Sequence, residues 1–141
     1  MKLLRFKYND GGRAKAGIPG RSGDCVIRAI AIAERIPYKK ARKIVQNFIA
    51  QDWAVYGLTP SKKYATGMHG VYNTSILLKS LGYKFVPTPG KCFRAYQEIP
   101  RGRIIVFVSS HVAAVINQEL RDTWNSQKTG IRPMRGYWIK L

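Results

Sequence analysis

The chain has 141 residues and a net charge of +18, from 25 Lys and Arg against 7 Asp and Glu. A hydrophobic content of 45%, with 8 Tyr, 5 Phe and 3 Trp, excludes wholesale disorder and supplies a core that needs no disulfide staples. Two cysteines and two histidines without a Cys-x-x-Cys pair exclude a disulfide framework and leave zinc without its usual ligand spacing.

The charged start Met1-Lys2-Leu3-Leu4-Arg5-Phe6-Lys7 does not read as a signal peptide, and no apolar run is long enough to cross a membrane. The expected setting is reducing and cytoplasmic. Residues 3–8 alternate as a short strand, Asn9-Asp10-Gly11-Gly12 turns, and 13–23 forms a Gly-, Ala- and Arg-rich loop. From Cys25 to about Glu34 the pattern is helical and apolar on most sides, predicting a buried helix capped by Asp24 or Ser22.

In the second helix Ala41, Ile44, Val45, Phe48 and Ile49 form one apolar stripe, with Pro37 placed to open it. Its first turns carry Lys39, Lys40, Arg42 and Lys43, the wrong sign for a helix N-terminus. Each such charge costs about 0.3–1 kcal/mol within the first turn. Residues 52–70 read as a long loop, and a third helix over 71–81 ends at Gly82. Tyr83–Val86 is expected as a strand, followed after Pro87-Thr88-Pro89-Gly90 by a turn or short helix reaching Pro100. Arg103–Val108 is a buried-strand run, 111–116 and 119–124 form a hairpin, and 136–141 is a last strand. Helices first and an antiparallel sheet afterwards give an α+β fold, read as one domain over 1–141.

The chemistry-bearing feature is Cys25, where the turn Ser22-Gly23-Asp24 becomes an apolar helix. The unsatisfied N–H groups and positive dipole end of a helix start favour thiolate over thiol, and the thiolate is the nucleophile. A two-residue turn at Asn117-Gln118 sets Ile116 opposite Glu119 and Ala113 opposite Asp122. His111 and Asp122 then become diagonal neighbours on one face, within reach of a carboxylate–imidazole bond. An odd-length loop would bring Asn125 round instead. With that parity, Asp122 orients His111, His111 takes the Cys25 proton, and Trp124 covers the pair.

Each residue also has a structural alternative. Cys25 is a small apolar side chain suited to a core, His111 a satisfied strand histidine, and Asp122 a strand-end residue. Trp124, Tyr137 and Trp138 read as core, and His69 as a loop residue facing solvent or substrate. Cys92 sits in the polar stretch Gly90-Lys91-Cys92-Phe93-Arg94, unlike Cys25.

Gly23-Asp24-Cys25 opening a helix, His111-Val112-Ala113-Ala114-Val115-Ile116 on a strand and Asp122-Thr123-Trp124 after a turn together resemble the papain-like cysteine peptidases. More narrowly, they resemble the small members related to bacteriocin-processing (C39-like) peptidases, including phage-encoded ones. The resemblance spans about residues 20–125 in motif order. It implies N-terminal helices packed on an antiparallel sheet, a Cys25–His111–Asp122 triad supported by Trp124 and Asp24, no cofactor, and a peptide or protein substrate. A phage-encoded member would act in the host cytoplasm.

One position departs from that family. Where papain-like enzymes carry an oxyanion glutamine about six residues before the cysteine, this chain has Pro19. Losing one oxyanion donor costs roughly 10²–10³ in rate. The Cys25 N–H remains, with Ser22, Arg21 or Asn9 as candidate partners. Cell-wall hydrolases with an aspartate–cysteine helix start share the motif order. The rival from another class is a nucleic-acid-binding protein on the same scaffold with a vestigial triad, in which the +18 charge meets a polyanion. A purely structural role predicts neither thiol reactivity nor salt-dependent binding.

Overall fold

The computed structural model describes residues 4–19, 23–59, 71–92, 99–108, 111–127 and 133–140. Among them are three helices and six strands in an α+β arrangement. The order is β1 (Arg5–Tyr8), α1 (Cys25–Glu34), α2 (Tyr38–Ala54), α3 (Val71–Ser80), β2 (Tyr83–Cys92), β3 (Arg103–Val108), β4 (His111–Ile116), β5 (Glu119–Asp122) and β6 (Pro133–Lys140). The strands form one sheet in the order β1-β5-β4-β3-β6-β2. Its pairs are antiparallel except β1 with β5, which run parallel. The edge strand therefore departs from the all-antiparallel expectation.

The central strands β3 and β4 are buried on both faces, which is why they read as continuous apolar runs. Ile105, Phe107, Val112, Ala114 and Ile116 join α1 and α2 in one core cluster. Ile104, Val106, Val108, Ala113, Val115 and Leu120 form a second cluster with Leu4, Ile99 and Met134. Trp138 is fully buried, as expected of a core residue, and its Nε1–H donates to Ser75 Oγ at 2.9 Å.

α1 is fixed at its far end by Glu34, whose carboxylate accepts from Lys140 at 2.7 Å, Tyr83 at 3.1 Å and Arg103 at 3.2 Å. The helix stops where Arg35 turns left-handed (φ 55°) and the Ile36 N–H reaches back to Ala31 O. Pro37 occupies the position just before α2, whose fixed φ suits a helix entry. α2 runs on to Ala54, past the expected loop boundary at 52, because Trp53 continues the Ile49 stripe by four residues and packs on the same core.

β2 likewise outruns its expected end at Val86, with a register shift between Pro87 and Lys91. It is an edge strand, where a proline's missing N–H removes no ladder bond. The rest of the expected turn or helix before Pro100, the 60–70 part of the long loop, and His69 within it lie outside the described residues. No helix among the described residues is long and apolar enough to cross a membrane.

Candidate active site

Cys25 is the first residue of α1, and Asp24 stands at the N-cap without making a side-chain cap bond. The Asp24 carboxylate, 1% exposed, instead turns inward to accept from Arg28, from the Tyr38 hydroxyl, and from Arg13 at 3.1 Å. The cap expected of Asp24 is thus replaced by a buried ion-pair cluster; Ser22, the other candidate cap, lies outside the described residues. Burial raises the Asp24 carboxyl, but the Tyr38 bond and the charges of Arg28 and Arg13 outweigh it and hold it below its ordinary range.

β4 begins at His111 and β5 ends at Asp122. Between them Asn117 and Gln118 both take positive φ (48° and 64°), as a two-residue hairpin turn of type I′ requires. Ile116 pairs with Glu119, Val115 with Leu120 and Ala114 with Arg121, the even parity expected from the sequence. Continuing this register places Asp122 diagonally across from His111. The two side chains meet, with His111 Nε2 2.6 Å from Asp122 Oδ2. The second oxygen, Oδ1, accepts from the Thr123 N–H at 2.7 Å and faces Arg28 Nη2 at 3.4 Å. Asn125 is occupied elsewhere, accepting from the Gln127 backbone and side chain at 3.2 Å each.

The Cys25 thiol lies within the influence of the His111 imidazole and of the Val112 N–H, each of which favours its thiolate. Since Nε2 is committed to Asp122, Nδ1 is the nitrogen left for the thiol. Burial works against the Cys25 thiolate. The bond to His111, its charge, the Val112 N–H and the charge of Arg28 outweigh that effect and lower the thiol. Burial also works against the imidazolium, yet the bonds to Asp122 and Cys25 push His111 up to about 9. Both shifts favour one state of the pair, thiolate beside imidazolium.

Trp124 stacks obliquely on His111, ring centroids 5.1 Å apart and planes inclined by 47°. It is 39% exposed, so it forms a wall of the site and not the core residue that its composition suggested. The expected oxyanion partners fare unequally. Asn9 commits its side-chain oxygen to the Gly11 N–H at 2.8 Å and its own N–H to Asp122 O at 2.9 Å, while Arg21 and Ser22 lie outside the described residues. The Cys25 N–H remains in the first turn of α1, where the helix supplies no acceptor.

Three neighbours were not legible as site residues: Arg28, Arg13 and Tyr38. Arg28 carries the one usable signal, a lone charge inside the apolar run Val26–Ala33 and four residues after Asp24. Gly11 explains how Arg13 arrives. Its left-handed φ of 70° and the approach of its Cα to the Arg28 backbone, where a Cβ would come within 3.1 Å, seat the 9–17 loop directly on α1. Among the described residues no cluster of three or more His, Cys, Asp and Glu side chains is arranged to hold a metal ion. Comparison with protein-family models, curated proteins and solved structures gave no match to this chain.

Proposed function

We propose that this chain is a cysteine-dependent hydrolase of peptide or amide bonds, with a papain-like arrangement in which Cys25 is nucleophile, His111 acid–base and Asp122 orienter. The observation that carries the reading is the 2.6 Å His111–Asp122 bond beside a Cys25 thiol that the His111 imidazole lowers. The Cys25 thiolate attacks the acyl carbon, and the Cys25 N–H donates to the developing oxyanion. The C–N bond breaks as the His111 imidazolium gives its proton to the leaving amine. Water, deprotonated by His111, then opens the thioester, releasing the carboxylic acid and restoring the thiol. Trp124 shields one face of the imidazole during both proton transfers.

Hydrolysis of an unfolded protein substrate, followed by mass spectrometry, tests this directly. Cleavage by the wild type that disappears in both Cys25→Ala and His111→Ala supports the reading; cleavage that survives either substitution rejects it.

A second reading, polyanion binding, is favoured by how the acidic side chains are spent. Asp24, Glu34, Glu119 and Asp122 each pair with a cation inside the fold. Lys39, Lys40 and Lys43 are exposed on α2, and no acidic residue stands three or four positions from any of them. Such a row repels itself and is retained for a partner more readily than for stability. Replacing all three by Gln should flatten the salt dependence of duplex DNA binding by about 0.9 in log–log slope per lost contact. An unchanged slope excludes this face.

A further inference from the structure

Arg28 lies one helical turn beyond Cys25 and is 8% exposed. A buried guanidinium persists only where its partners offset its desolvation. Here the partners are two carboxylates from different elements. Nη1 donates to Asp24 at the start of α1, and Nη2 faces Asp122 Oδ1 on β5 at 3.4 Å. A planar fork can span both; a lysine carries its charge at one point.

The position of Asp24 gives this bridge its meaning. An N-cap aspartate ordinarily folds its carboxylate onto the first-turn N–H groups. At this helix it would place a negative charge beside the Cys25 sulfur and occupy donors an oxyanion needs. Arg28, Tyr38 and Arg13 hold it away, and no cap bond forms.

We propose that Arg28 is a positioning residue of this site, drawing the Asp24 carboxylate off the helix N-terminus while steadying Asp122 against His111. The inference rests on the reading of Cys25, His111 and Asp122 as a triad. Among the described residues, the ion-pair network that joins this site sets Asp24 and Asp122 against Arg28 and Arg13, with Tyr38 a neutral donor. Removing Arg28 leaves excess negative charge there, so thiol and imidazolium both titrate higher; neutralising Asp24 does the opposite.

The test is the pH dependence of Cys25 alkylation by iodoacetamide, read on the Cys25 peptide by mass spectrometry, for wild type, Arg28→Gln, Arg28→Lys and Asp24→Asn. The lower limb should rise by about one pH unit in Arg28→Gln, roughly a tenfold loss of rate on that limb. It should lie between the two in Arg28→Lys, and fall below wild type in Asp24→Asn. Limbs that stay put, or that move the same way in Arg28→Gln and Asp24→Asn, reduce Arg28 to packing and overturn the inference. If Arg28→Gln does not fold, Asp24→Asn still decides, since a limb that fails to fall contradicts the proposal. A wild-type limb at an ordinary thiol value rejects the triad reading itself, a separate outcome.

Discussion

His111 and Asp122 stand diagonally across the β4–β5 hairpin, and the Nε2–Oδ2 separation of 2.6 Å makes their contact a charge-assisted bond whenever the imidazole is protonated. The Asp122 carbonyl holds the Asn9 N–H, tying the end of β1 to the same point, and its Oδ1 faces Arg28. Asp122 is therefore held at its carbonyl by Asn9 and at its carboxylate by Arg28 and the Thr123 N–H, besides its bond to His111.

Asp122→Asn keeps the shape of this junction and removes its charge. The proposed hydrolytic activity should fall by about 10²–10⁴-fold, the range for a mis-set or unstabilised general base. The His111 imidazolium should lose its proton at lower pH than the wild type, where it is held up to about 9, as followed by the NMR shifts of its ring protons. An imidazole that titrates unchanged would assign its shift to some other group.

The same bond links stability to pH, and Cys25→Ala isolates it by removing the thiol. His111 is raised above its unfolded value of about 6.5 by Asp122 in the folded state. Its stabilising contribution is fully present below that unfolded value and is lost as pH rises through the raised folded one. The urea midpoint of Cys25→Ala should therefore decline between pH 6 and pH 9.5, with no loss of secondary structure at either pH. A midpoint that rises over this interval would contradict the sign.

Gln127 is fully buried and clamps the backbone of Leu4, accepting from its N–H at 2.6 Å and donating to its carbonyl at 2.9 Å. Gln127→Leu strands both groups, at about 1–3 kcal/mol each. Urea unfolding should register that loss, and amide exchange should quicken along β1, which follows directly from Leu4.

Gly136 tests the opposite end of the sheet. A Cβ there would run into the Phe85 ring and lie 2.7 Å from the Val86 carbonyl oxygen. Gly136→Ala should destabilise by about 1–3 kcal/mol through overpacking at the β2–β6 pair. Folded Gly136→Ala should keep the wild-type alkylation profile of Cys25, because the clash falls on Phe85 and Val86 of β2 and β3 stands between β6 and the hairpin.

Much of the site is written locally. The Cys25 helix start, the two-residue turn at Asn117-Gln118 and the period-2 alternation through Asp122 are short-range patterns, so parity alone brings His111 and Asp122 together. What is not legible is what distant segments contribute. Arg28 hides in a helix read as apolar, and Asp24 looks like a cap until Tyr38 and Arg13 arrive from α2 and the 9–17 loop to draw it inward. Trp124 has the composition of a core residue, yet lies where β5 has already ended and the wall of the site begins. β1 is recognisable as a strand, but its parallel pairing with β5 depends on a contact across more than a hundred residues, such as that between Leu4 and Gln127. The prolines of β2 imply a strand end only until its place at the sheet edge is known.

The central claim, that Cys25 is an activated thiolate paired with the His111 imidazolium, is tested most directly by its alkylation rate with iodoacetamide across pH 4–10. Wild type and His111→Ala are compared by mass spectrometry of the Cys25 peptide. The account predicts rapid labelling well below pH 8 in the wild type and a shift of the profile to an ordinary thiol value in His111→Ala. Labelling of the folded wild type that begins only at an ordinary thiol value, and is indifferent to His111→Ala, would contradict it and leave Cys25 a packing residue.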